Sequence, residues 1–265
     1  MAAPNTRRQR MARDKLNELF AHPSTVLIVH YACQSFYRAE ADGSPRVASI
    51  AVRNLAGGDT EAFSIHQELE LARIPHAHAP HVLDHLERQM LNRFFRYLAE
   101  NKNMRFVHWN MRDVKFGFQA LEHRYRVLGG DPYVLHDNQK IDLALLLGSI
   151  YGSNYCRPPV FETLARRNKL ALSGFVAGAD EPRLFAKGEY AAVLKSNLCK
   201  IALITDIVTL AHDAKLKTDA NWWTLNEGRL REAYEFFVDN PAYGVAMAVL
   251  TGFGAVLKLL EHLGL

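Results

Sequence analysis

Apolar and polar positions alternate in two different periods along this chain. Over 8–21, Met11, Leu16, Leu19 and Phe20 recur at helical spacing, and Pro23 closes the segment. The run Thr25-Val-Leu-Ile-Val-His-Tyr31 is short, apolar and rich in β-branched residues, which predicts a central strand. A second strand is predicted over 45–54 and a third over 60–65, joined by a hairpin-type turn at Gly57-Gly58-Asp59. The helical period is strong over 81–100, where Val82, Leu86, Met90, Phe94 and Leu98 share a face. Arg105-Phe-Val-His108 predicts a fourth strand, and 114–128 a helix stopped by Gly129-Gly130. A short strand is expected within 133–140. Further helices are expected over 141–151, 160–168 and 189–211, with 171–188 as loop and two more helices over 226–239 and 241–263. Three strands, a helix, a strand and then helices predict an α/β fold on a mixed sheet.

Composition narrows this picture little. The chain has 265 residues, of which 49% are hydrophobic and 23% charged, so a disordered or collagen-like chain is excluded. A formal charge of +4 permits a nucleic-acid partner without requiring one. Cys33, Cys156 and Cys199 are widely spaced and form no zinc-binding pair, which suits a reduced, cytoplasmic setting. The N-terminal stretch carries Arg7, Arg8, Arg10 and Arg13 and lacks the apolar core of a secretory signal. It reads as a solvated leader or as an arm that touches phosphates. The uncharged run 242–257 is shorter than a membrane span needs, so a buried or dimer-forming helix is expected and membrane contact is not. His76 and His78 lie between Pro75 and Pro80, with His81 just after, in a loop where solvated histidines are commoner than metal ligands.

One segment points further. Phe106-Val-His108-Trp109-Asn110-Met111-Arg112-Asp113 ends a strand and opens a helix. It resembles the second motif of the DEDD 3′–5′ exonucleases, a proofreading-type branch of the ribonuclease H-like superfamily, except that Trp109 separates His108 from Asn110. Other segments follow the family's order: the opening strands, Asp142 in Gln-Lys-Ile-Asp142, the 161–168 helix, and Asp206 on a late helix. The resemblance spans about residues 24–212. It implies a ribonuclease H-like mixed sheet flanked by helices, preceded by a basic helical leader (1–23) and followed by a C-terminal helical extension (213–265).

It also implies a chemistry. Two divalent ions about 4 Å apart activate water and stabilise the leaving oxygen. Clustered carboxylates hold such hard cations, Mg²⁺ or Mn²⁺. The resemblance assigns catalytic positions to Asp113, Asp206 and His108, with metal held by Asp113 and Asp206. It aligns Ala32 and Gln34 with the paired carboxylates of the first strand, and Ile201 and Ala202 with the expected His or Tyr. Two of four carboxylates are therefore replaced. The expectation is a nucleic-acid-binding protein, engaging a single strand or a 3′ end, with weakened or lost nuclease activity. Three alternatives stand beside it. One is an active exonuclease with a rearranged site that enlists His30, His108 and Asp142. Another is an inactivated form of an active enzyme, and the last is an oligomerising protein that uses 241–265. Candidate nucleic-acid contacts are Asn110, Arg112, Arg166, Arg167 and Lys195, with Lys115, Arg124 and Lys169 as further basic positions.

Overall fold

The computed structural model describes residues 4–34, 44–112 and 116–220. Asp113, Lys115, the helices expected over 226–239 and 241–263, and the segment 241–265 proposed for oligomer formation lie outside the described residues. So does most of the C-terminal extension.

Five strands form one mixed sheet: β1 (Val26–Cys33), β2 (Val47–Asn54), β3 (Thr60–Ser64), β4 (Arg105–His108) and β5 (Lys140–Asp142). Their order is β3-β2-β1-β4-β5. The pairs β1–β2 and β2–β3 are antiparallel, while β1–β4 and β4–β5 are parallel. Helices α1 (Pro4–Ala21), α2 (Ile65–Ala72), α3 (Leu83–Glu100), α4 (Phe118–Val127), α5 (Leu143–Tyr151), α6 (Val160–Arg167), α7 (Glu181–Ala186) and α8 (Tyr190–His212) flank it.

Strand β1 is central and buried on both faces, which explains its unbroken apolar run. Val26 and Ile28 face a core shared with Leu16, Leu147, Ile201 and Ile204 of α1, α5 and α8. Leu27, Val29 and Tyr31 face the opposite core, with Phe94 and Leu121 of α3 and α4. A third cluster joins Ala32 and Ala48 to Ile65, Leu69, Phe185, Tyr190 and Val193.

Three elements differ from expectation. Helix α2 was not anticipated: Ser64 caps it by accepting from the Gln67 N–H, and Arg73 ends it in the left-handed region at φ 54°. The fifth strand is Lys140–Asp142 rather than within 133–140, because parallel pairing to β4 (Val107 opposite Ile141) defines it. The segment 171–188 contains the short helix α7.

A buried ion network pins α3, α4 and β2 together. Glu87 has no solvent exposure. It accepts from the Val47 N–H at 2.7 Å, from Arg46 at 3.0 Å, and from Arg124 Nε and Nη2 at 3.0 and 2.7 Å. Asp84 also meets Arg46 at 2.6 Å. Arg124, read from sequence as a surface base, is thus buried and committed to Glu87. Deleting one partner of such a cluster strands the other charges. Glu87→Ala is therefore expected to lower the unfolding free energy by about 3–5 kcal/mol, measurable by urea denaturation.

Candidate functional site

A second group of buried polar side chains, besides the Glu87 network, gathers where β1 and β2 meet α8. Helix α8 turns a buried stripe toward the sheet: Val193, Asn197, Lys200, Ile204, Ile207 and Ala211. Two of these six are polar, and each has partners. Asn197 Oδ1 lies 2.9 Å from His30 Nδ1. Its amide nitrogen donates to Ser49 Oγ at 3.1 Å and to the His30 carbonyl at 3.4 Å. With the amide so oriented, Oδ1 accepts and His30 carries its proton on Nδ1. One turn on, the Lys200 ammonium pairs with Glu181 at 2.6 Å, and Glu181 also accepts from Ser196 Oγ at 2.8 Å. Burial, with Lys200 nearby, pushes the His30 pKa down to about 3, so the ring is neutral.

Among the described residues, Ala32, Gln34 and Asp206, which the sequence aligned with the metal-site motifs, are not gathered in this seam. Ala32 is buried and packs with Tyr190 and Val193. Gln34 follows β1, and its backbone N–H donates to the Arg46 carbonyl at 2.7 Å. Asp206 stands on the exposed side of α8, nine residues beyond Asn197, or roughly 13 Å along the helix axis. Its cationic neighbour is Arg53, which pairs with Ile28, whereas Ala32 pairs with Ser49. Positions 32 and 206 therefore sit at different levels of β1. The polar position of α8 that meets the C-terminal half of β1, beside Tyr190 and Val193, is Asn197. The signal was in the sequence: Asn197 and Lys200 interrupt an apolar stripe of helical period, and Asp206 lies off it.

The seam fits a divalent cation poorly. Its donors are a neutral imidazole, an amide and a hydroxyl, beside an ammonium already paired to the one carboxylate. Among the described residues, no group of three or more His, Cys, Asp or Glu side chains is arranged to hold a metal ion, the 76–81 histidines included.

A second constellation lies past the ends of the parallel strands. His108 ends β4 and Asp142 ends β5, opposite each other. His108 Nδ1 accepts from the Met111 N–H at 3.2 Å, which leaves its proton on Nε2. Burial lowers its pKa to about 4, with Asp142 acting against the shift and Arg112 and Lys140 adding to it. Asn110 takes the left-handed conformation (φ 56°), which asparagine tolerates. Its N–H points at Asp142 at 3.3 Å. Asp142 caps α5 by accepting from the Ala144 and Leu145 N–H groups at 2.9 and 3.2 Å, and it meets Arg112 at 3.3 Å. Beyond these residues opens a cleft of about 460 Å³ between α4 and α5, whose wall includes His108, Arg112, Lys140 and Lys15. An adjoining trough of about 660 Å³ runs along α1 past Arg7 and Arg8, sharing Lys15, Leu146 and Ser149 with the cleft.

The remaining basic candidates lie elsewhere. Arg166 pairs with Glu162 at 2.7 Å, and Arg167 pairs with Asp219. Lys195 is exposed on α8. None of the three lines the cleft. Trp109 packs on Phe161 of α6, with ring centroids 4.9 Å apart. Comparison with protein-family models, curated proteins and solved structures gives no match.

The two buried histidines make stability depend on pH. Each is neutral in the fold with a depressed pKa, and each regains an ordinary value near 6.5 on unfolding. Below pH 6.5 the unfolded chain binds protons that the fold refuses, so stability falls with pH until the folded values near 4 and 3 are reached. The loss at pH 5 is about 2 kcal/mol per histidine. Thermal melts between pH 7 and 5 are expected to show this decline, and His30→Gln is expected to remove about 2 kcal/mol of it at pH 5.

Proposed function

We propose that this chain is a nucleic-acid-binding protein on a ribonuclease H-like scaffold, related to the DEDD 3′–5′ exonucleases, with nuclease activity weakened or lost. The scaffold reading draws support from the antiparallel β3-β2-β1 meander continued by parallel β4 and β5. The observation that carries the functional reading is the composition of the β1–α8 seam. Two-metal phosphodiester cleavage needs carboxylates converging on one point. The seam instead holds His30, Ser49 and Asn197, neutral groups that satisfy one another, beside a Lys200 ammonium paired to Glu181. A cation fixed there by Glu181 opposes the entry of a second one.

Binding draws on the other constellation. Arg7, Arg8, Lys15, Arg112 and Lys140 border two connected depressions beyond the sheet. Phosphate contacts by such residues release counterions, so affinity must fall steeply with salt. A labelled single strand is expected to bind at about 50 mM salt and to lose roughly 20-fold or more of its affinity by about 200 mM. The same strand, incubated with Mn²⁺, is expected to remain intact, and chelation is expected to leave binding unchanged. Mn²⁺-dependent shortening of the strand would contradict the loss of activity. Absence of salt-sensitive binding would contradict the nucleic-acid reading.

A further inference from the structure

We propose that the cleft between α4 and α5 is a binding site for a small organic monoanion, a carboxylate carried on an apolar body. Such a site lies outside the nucleic-acid reading and needs no strand.

His108 carries an unanswered donor. The residue is 2% exposed, and its ring lines the cleft. Nδ1 accepts from the Met111 N–H, which leaves the proton on Nε2. That second N–H meets no acceptor among the described residues. A buried donor left unpaired costs free energy, which an incoming acceptor restores. Burial holds the His108 pKa down to about 4, so at neutral pH the ring offers a hydrogen bond and no charge.

Charge around the cleft sets the valence of the ligand. Lys15, Arg112 and Lys140 border it together with Asp137 and Asp142, which leaves one positive charge in excess. Asp137 pairs with Lys140 at 3.1 Å. Asp142 is spent on the Asn110, Ala144 and Leu145 N–H groups and on Arg112. Lys15 shares Glu18 with Arg105, at 3.0 and 2.7 Å, so the excess is not cancelled from α1. Arg112 is half exposed and touches Asp142 through one nitrogen at 3.3 Å, so its guanidinium keeps donors for a second carboxylate. One excess charge matches a monoanion; a dianion would bring more charge than these walls balance.

The walls match the rest of the ligand. Phe118 of α4 and Leu145 and Leu146 of α5 line the cleft, and Leu145 is 49% exposed. The Lys140 ammonium lies 5.6 Å from the Phe118 ring centroid, so cation and apolar wall adjoin. The volume, about 460 Å³, is that of small-ligand sites, in which apolar walls surround a few orienting polar groups. An inorganic anion would leave the apolar walls wet. An uncharged apolar body would leave Arg112 unanswered.

The test titrates the full chain, without nucleic acid, with 2-naphthoate and octanoate as aromatic and aliphatic carboxylates. The uncharged 2-naphthylmethanol and inorganic phosphate are the comparisons. Affinity is read by calorimetry, and the His108 Nε2–H by ¹H–¹⁵N NMR. At least one carboxylate is expected to bind with a Kd below about 1 mM and to move the Nε2–H signal downfield. The alcohol and phosphate are expected to bind at least about 10-fold more weakly. Leu145→Asp, at an exposed position, is expected to weaken carboxylate binding by at least about 10-fold with an unchanged melting temperature, and Arg112→Gln by a similar factor. Failure of both carboxylates to bind would overturn the site. So would equal binding of the alcohol or of phosphate, an unmoved His108 signal at saturation, or affinity that survives Leu145→Asp. Each of these results leaves the nucleic-acid reading standing, because that reading is tested separately by the salt dependence of strand binding.

Discussion

Asn197 is the side chain on which this arrangement turns. A helix that lays a buried stripe across two strands must satisfy every polar group it brings, because an unpaired one costs a few kcal/mol. Asn197 meets that constraint with one acceptor and two donor contacts, reaching His30 on β1 and Ser49 on β2 at once. It thereby fixes the level at which α8 crosses the sheet. It also fixes the His30 proton on Nδ1. One turn away, Lys200 and Glu181 neutralise each other and tie α7 to α8.

The electrostatic character of the molecule follows from that seam. Its interior polar chemistry is closed: donors and acceptors answer each other within 2.6 to 3.4 Å. The strand-end region is open in the opposite sense. There His108 carries its proton on the other ring nitrogen, Asp142 organises the β4–α5 junction, and cations stand at the surface of a cleft. One sheet thus presents a sealed position beside β1 and an accessible one beside β5. In the reading proposed here, binding has been kept at the accessible position while hydrolysis has been lost at the sealed one.

Much of the scaffold was legible in the sequence, for physical reasons. A short apolar run rich in β-branched residues favours a strand buried on both faces, and β1 is one. The Gly57-Gly58 turn and the long period of α3 were equally plain. Elements defined by their partners were not. Lys140-Ile141-Asp142 is a strand because β4 lies alongside, and α2 shows only Ile65 and Leu69 of its periodicity before Arg73 ends it. The candidate site was half legible. His108, Asn110, Arg112 and Asp142 come together at the ends of β4 and β5. Ala32 and Asp206 lie at different levels of β1, because aligning aspartates by order along the chain ignores which face of α8 they occupy. Glu87, Asn197 and Lys200 were the informative exceptions. Each interrupts an apolar helical stripe, and each is the centre of a buried polar cluster.

The most direct test of the central claim is an Mn²⁺ titration followed by histidine imidazole NMR. If the β1–α8 seam is closed by Asn197 and Lys200, the His30 ring signals keep the neutral Nδ1–H pattern and are not selectively broadened by the ion. Selective broadening of His30 at substoichiometric Mn²⁺ would place a metal at the seam and contradict the account.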